Sequence, residues 1–376
     1  MTTNRTQDLP PTLSVYFNLL RFGCALIVLL AHACENTFYK ASLIFPAHHA
    51  VIVFFVMSGY VIAHVAETKD RDLGAYALNR ASRLWSVGIP ALIFGLLVEV
   101  FAVPHAGVTI PYTGNAAPLS SALTNLVFAG QNWFLDAIAP ADPPYWSLNY
   151  EAWYYAIFGA AFFLAGHKRI LATILLCLVA GPKMMLLMPC WLAGVFIYRR
   201  RIALSPRASV ALFAASLVAY VLFWRFNVQF MIRDRMEEAW PLIMVKLGGS
   251  NSFASDYILT AIVAANFIAL PGIAAAGRLL MPLKRLCAAA ASCTLTLYLF
   301  HMPVLILLLS LYGRWDGLWR PLSILALLLA VMPLLALLTE HRLGEFRRLL
   351  RRAAMIIHAL AGRMHGRTLL PGTPAE

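Results

Sequence analysis

An arginine and a histidine bracket one apolar stretch, Arg21 at its start and His32 at its end, with ten residues between them. Eleven steps of about 100° come to roughly three full turns, so both side chains share one helix face. The rise sets His32 roughly 16 Å deeper than Arg21, about half of a hydrocarbon core. An ionisable group at that depth costs about 2.5–3.5 kcal/mol and by default faces the interior of a helix bundle. Imidazole trades a proton near neutral pH, so this pattern suits general acid–base work. A second deep ionisable group, Glu151, stands a turn from Ser147 in the run WSLNYE at 146–151. Two such groups on separate helices, at compatible depths, argue for a shared polar cavity.

Other polar residues interrupt apolar runs in the same way. Ser58–Gly59 sits in FFVMSGYVI, Arg80 and Arg83 in NRASR, and Tyr298 and His301 in TLTLYLFHMP. Each has a plainer reading. The arginines could flank spans, Ser58–Gly59 could allow close helix packing, and His301 could be a hydrogen-bonded core histidine. Tyr298 and Trp146 could pack or anchor at the interface, and Glu35 and Glu99, near outer span ends, could be solvated. His32 and Glu151 fit a plain reading least.

The elements that must position these groups follow from composition. The chain has 376 residues, 61% of them hydrophobic and 12% charged, with mean hydropathy +0.73. Soluble domains carry about 25% charged residues, so an all-α, polytopic transmembrane bundle is expected. Apolar windows predict about ten spans: 16–34, 50–66, 84–103, 144–165, 168–182, 184–198, 208–225, 256–276, 287–311 and 321–339. The stretch 168–198 could also be a hairpin or one broken element, and 119–138 reads as an outer re-entrant or interfacial piece. A short tail, 1–15, has no signal-peptide pattern, so the first span is expected to be retained. The transmembrane domain is expected over 16–341 and a basic tail over 342–376. In that tail Phe346, Leu349, Leu350, Ala353 and Ile357 share one face opposite Arg347, Arg348, Arg351 and Arg352, a pattern for an inner-surface helix held by anionic lipid.

With the N-terminus inside, 22 of the 30 lysines and arginines fall on inner segments and 8 on outer ones. That asymmetry predicts both termini in the cytoplasm. It also explains the net charge of +13 without a nucleic-acid partner. Six cysteines form no CxxC pair and mostly fall inside spans, so neither a disulfide framework nor a metal site is expected.

Taken together, these motifs resemble the acyltransferase-3 family, the integral-membrane acyltransferases of bacterial surface polysaccharides. The resemblance rests on Arg21-x10-His32, FFVMSGYVI at 54–62, Arg80-x-x-Arg83, WSLNYE at 146–151 and YLFH at 298–301, in the family's order and spacing. Each motif alone is common; five in order are specific. Asn18 stands where the family usually has an acidic residue. The resemblance implies a bacterial inner-membrane enzyme with no permanently bound cofactor. Cytosolic acyl-CoA, most often acetyl-CoA, would donate to a hydroxyl of an extracytoplasmic carbohydrate or a lipid-linked precursor.

The residues suit that chemistry. Arg80 and Arg83 offer cations for the coenzyme A phosphates, with Arg21 nearby, and Ser58–Gly59 would let the thin pantetheine arm pass close to backbone. A hydroxyl is a poor nucleophile, so His32 is expected to act as general base, an effect typically of about 10²–10⁴ in rate. Glu151 or Glu35 could fix its tautomer, and Tyr298, Ser147 or His301 could donate to the developing oxyanion. Trp146 could stack on a sugar. An acyl-histidine intermediate is the other route. Acceptor choice is expected in the outer segments 104–143 and 226–256. Two other classes compete: a secondary transporter using Arg21, His32 and Glu151 as a relay, and a membrane scaffold. Paired broken helices in two related halves, the mark of many transporters, are not seen, and a scaffold has no use for three buried ionisable groups.

Overall fold

The computed structural model describes residues 9–37, 45–105, 117–312 and 319–367. Lys40, Arg314, most of the tail 1–15 and the end of the basic tail lie outside them. Among the described residues all regular structure is helical. The first helices are α1 (Pro11–Thr37), α2 (Ala47–Thr68) and α3 (Leu73–Phe101), then the short α4 (Pro118–Leu126). Next come α5 (Trp146–Phe163), α6 (Gly166–Ala180), α7 (Pro182–Arg200), α8 (Pro206–Arg225), α9 (Val228–Ala239) and α10 (Pro241–Met244). The last are α11 (Phe253–Ala269), α12 (Ala274–Leu280), α13 (Lys284–Ala291), α14 (Thr294–Tyr312), α15 (Trp319–Leu338) and α16 (Leu343–Arg367).

Among the described residues seven helical stretches are long and apolar enough to cross a membrane, and α6 with α7 makes eight. The difference from about ten has two causes. The stretch 168–198 is one broken element whose arms bend by 119°. The corner is Gly181, at φ +87°, where a Cβ would meet the Trp133 backbone at 2.6 Å. The other cause is α5, whose 18 residues carry Asn149 and Glu151 and fall short of an apolar span.

Burial separates central helices from peripheral ones. In α14 the most apolar stretch is 78% buried within the protein, against 17% in α8, so α14 is an axis and α8 an outer wall. Around α14 pack α1, α3 and α15, while α2 lies between α1, α7 and α11 and also touches α5. The expected interfacial piece folds as α4 and an irregular return. Asn125 at its centre is buried, accepting from Asn149 Nδ2 (2.8 Å) and donating to the Ser121 and Ala137 carbonyls (both 2.9 Å). α16 begins against α3, and Ile357 of its expected apolar face lies outside the described side chains. Arg21, Arg83 and Glu340 mark what we term the basic end of the bundle; the ends of α1 and α8 and the start of α2 mark the opposite end.

Candidate active site

A cavity with an empty volume of about 740 Å³ opens among α1, α2, α3, α5 and α14 near the basic end. Helical spacing delivers its polar lining. Arg80 and Arg83 are three apart on α3, while Ser147, Glu151 and Tyr155 are four apart on α5, so each set shares a face. Arg21 enters from α1, Ser58 from α2, and Thr294 and Tyr298 from α14.

Glu151 is fixed in this cavity. One carboxylate oxygen accepts from Ser58 Oγ at 2.7 Å and from the Tyr155 hydroxyl, while Trp191 Nε1 donates to Ser58 Oγ at 3.2 Å. Arg21 and Arg83 lie within electrostatic reach of both Glu151 and Glu340. The acidic neighbours of Arg21 thus come from distant helices, whereas Asn18 sits at the position usual for them. Arg80 has its own support: Asp70 at 3.8 Å, and the faces of Tyr76 and Tyr155 at 5.7 and 6.0 Å from the guanidinium carbon. Three arginines against one lining carboxylate leave the cavity cationic, a setting for phosphate groups.

His32 does not share this cavity with Glu151. It lies one turn beyond Tyr298, paired with His301. Its Nδ1 is 3.0 Å from His301 Nε2, and the rings stack with centroids 5.2 Å apart and planes 22° apart. His301 Nδ1 is in turn 2.8 Å from the Tyr298 carbonyl and 3.2 Å from that of Leu297. Carbonyls only accept, so that nitrogen carries the hydrogen and His301 Nε2 offers a lone pair. His32 Nδ1 must then be the donor toward His301, and the ring also has a backbone hydrogen bond with Val28. In the neutral ring the remaining nitrogen, His32 Nε2, is the basic atom.

This chain of donors revises three expectations. The group that sets the His32 tautomer is His301, in place of Glu151 or Glu35; Glu35 is exposed and lines a different cavity at the opposite end. His301 is not an oxyanion donor, because its one hydrogen is engaged by backbone carbonyls. Ser147 and Tyr298 also have their hydroxyls engaged, bonding each other at 2.7 Å and sharing the Pro144 carbonyl at 3.3 and 3.1 Å. Either could serve an oxyanion only by giving up one of these bonds.

Two more residues are placed by packing. Trp146 does not line the cavity. It stacks near His48 (centroids 6.3 Å, planes 12°) and meets Tyr150 edge-on at 5.1 Å. Gly59 is also outside the lining, since a Cβ there would collide with the Trp191 carbonyl of α7. Its role is the close approach of α2 and α7, not a wall for pantetheine. Gly59→Ala should therefore destabilise the fold by about 1–3 kcal/mol. A lowered thermal midpoint in detergent would show this; an unchanged midpoint would contradict it.

Tyr155 could have been found from sequence, four residues after Glu151 on the same face. Glu340, Asp70 and Trp191 could not, because only the packing of separate helices brings them to the site. The family model described as "Acyltransferase domain" (acyltransferase 3) matches residues 14–340. Neither a curated protein nor a solved structure matches the chain. A match that runs through every motif described above and ends at Glu340 covers nearly all of the bundle, and the chain belongs to the acyltransferase-3 family of membrane acyltransferases.

Proposed function

We propose that this acyltransferase takes the acyl group, in the simplest case acetyl, from acyl-CoA and passes it to a hydroxyl of a carbohydrate or glycolipid. The protein lies in a bacterial cytoplasmic membrane with its basic end in the cytosol. The observation that carries the reading is the juxtaposition along α14. A three-arginine cavity ends at Tyr298, and one turn further the His32–His301 pair sets the tautomer in which Nε2 of His32 carries the lone pair.

Arg21, Arg80 and Arg83 hold the coenzyme A phosphates, and the pantetheine arm runs past Ser58 toward Tyr298. The acceptor hydroxyl oxygen attacks the thioester carbon while His32 Nε2 takes its proton. The C–S bond then breaks, and the coenzyme A sulfur leaves as the imidazolium returns the proton. Arg21 and Arg83 balance Glu151, which keeps the Ser58 and Tyr155 hydroxyls in place.

The test is acceptor-dependent release of free coenzyme A from acetyl-CoA by the purified protein, given membrane-extracted glycans and lipid-linked sugars. Release with a matching one-acetyl mass gain in the pool supports the reading. Movement of an unmodified solute across a vesicle membrane without coenzyme A release would favour a transporter instead.

His301 gives a second check. His301→Phe keeps ring volume in the core but removes the acceptor for His32 Nδ1. A lost buried hydrogen bond costs about 1–3 kcal/mol, so kcat should fall roughly 5–150-fold. The acyl-CoA KM should stay put, because His301 lies outside the cavity. A kcat equal to wild type would remove His301 from this role.

A further inference from the structure

A second cavity, with an empty volume of about 820 Å³, lies at the opposite end of the bundle between the ends of α1 and α8, the starts of α2 and α9, and residues 251–252. Its wall includes Glu35, three residues and so one turn beyond His32 on the same face of α1. Its wall thus stands one turn of α1 from His32, on the side away from the arginines.

Its chemistry differs from that of the first cavity. His48 is held by Asp256, whose two oxygens each lie 3.0 Å from Nε2. The Asp256 carboxylate is buried at 1% exposure, whereas His48 keeps 22%. Gln229 Nε2 donates to Ser252 Oγ at 3.2 Å, and Ser252 donates to Asn251 Oδ1 at 3.2 Å. Neighbouring His49 is 5% exposed, and its Nδ1 has no hydrogen-bond partner, a buried polar atom that wants one. Arg233 lies over the Phe230 ring at 4.8 Å, and its charge is met by Asp234 at 3.1 Å and Glu237 at 3.5 Å. The Arg233 charge is thus met by two carboxylates of its own helix. Amides, imidazoles and a hydroxyl beside the aromatic side chains of Trp224 and Phe230 suit a ligand with many neutral hydroxyls and an apolar side.

We propose that this cavity is the acceptor subsite and takes one neutral sugar unit, held by His48, Gln229, Asn251 and Arg233, with a hydroxyl presented to His32 Nε2. The assignment rests on the acyl-transfer reading, but the sugar-binding site it names can be tested without catalysis. The full chain in nanodiscs would be titrated with methyl glycosides of neutral hexoses and N-acetylhexosamines, followed by tryptophan fluorescence. Methyl uronosides would serve as the anionic comparison.

Saturable binding of a neutral glycoside is expected. It should weaken about tenfold or more in Gln229→Ala and in Arg233→Met, and persist in Arg83→Ala, which alters the other cavity. Arg233→Met removes the guanidinium and keeps an unbranched apolar side chain on an exposed helix, so a folding defect in Gln229→Ala would not blunt the test. Absence of binding by every neutral glycoside, equal binding by both variants, or a preference for uronosides would overturn the proposal. Sugar binding without coenzyme A release would retain this site and remove the acyl-transfer reading. Coenzyme A release without sugar binding would do the reverse.

Discussion

Arg83→Ala should raise the acyl-CoA KM about 10–150-fold while changing kcat much less. A hydrogen bond between charged groups contributes about 1.5–3 kcal/mol, and every 1.4 kcal/mol is tenfold. Arg83 lines the cavity and stands within electrostatic reach of Glu151 and Glu340, but it lies on the far side of Tyr298 from His32. Its loss removes binding shared by ground state and transition state, which is a KM effect. Arg83→Lys keeps the charge without the planar fork, so its KM should fall between the two. Arg80 is a poorer probe, because its contacts with Asp70, Tyr76 and Tyr155 make it a structural member as well. Steady-state kinetics with acetyl-CoA varied at saturating acceptor would decide this. An unchanged KM would take Arg83 out of the donor site.

Much of the site was legible because helical periodicity is rigid. The spacing of Arg21 and His32, of Arg80 and Arg83, and of Ser147 and Glu151 each fixes a shared face, and the structure keeps each pair on one helix. Depth is a coarser signal than face. His32 and Glu151 looked level from sequence, yet Glu151 reaches Ser58 midway along α2 while His32 meets His301. A turn of helix separates one partner from another, and hydropathy windows do not resolve a turn.

Partners on other helices were beyond reach. The pairing of His48 with Asp256 joins two span ends that each look like interfacial residues, and Glu340 meets the arginines only through the return of α15. Gly59 shows the converse case. Its spacing in FFVMSGYVI allowed either a wall for the donor or a helix crossing, and only the position of the Trp191 carbonyl chooses the crossing. In the same way, α5 carries the polar residues of the site and is therefore a weak span by composition, so counting apolar windows gave it a status that its own chemistry undermines.

His32→Ala should lower kcat about 10²–10⁴-fold, the usual contribution of a positioned general base, with the acyl-CoA KM unaltered. The argument rests on one atom. His32 Nδ1 donates its hydrogen to His301, so in the neutral ring Nε2 carries the lone pair that takes the acceptor's proton. His32→Ala leaves the arginine cavity intact, because His32 is outside its lining. The most direct measurement is acceptor-dependent coenzyme A release by wild type and His32→Ala side by side, at matched yield of folded protein. Release by the wild type that collapses in the variant, with acyl-CoA binding retained, is the predicted result. Equal release by the two proteins would contradict it and move the base to another residue.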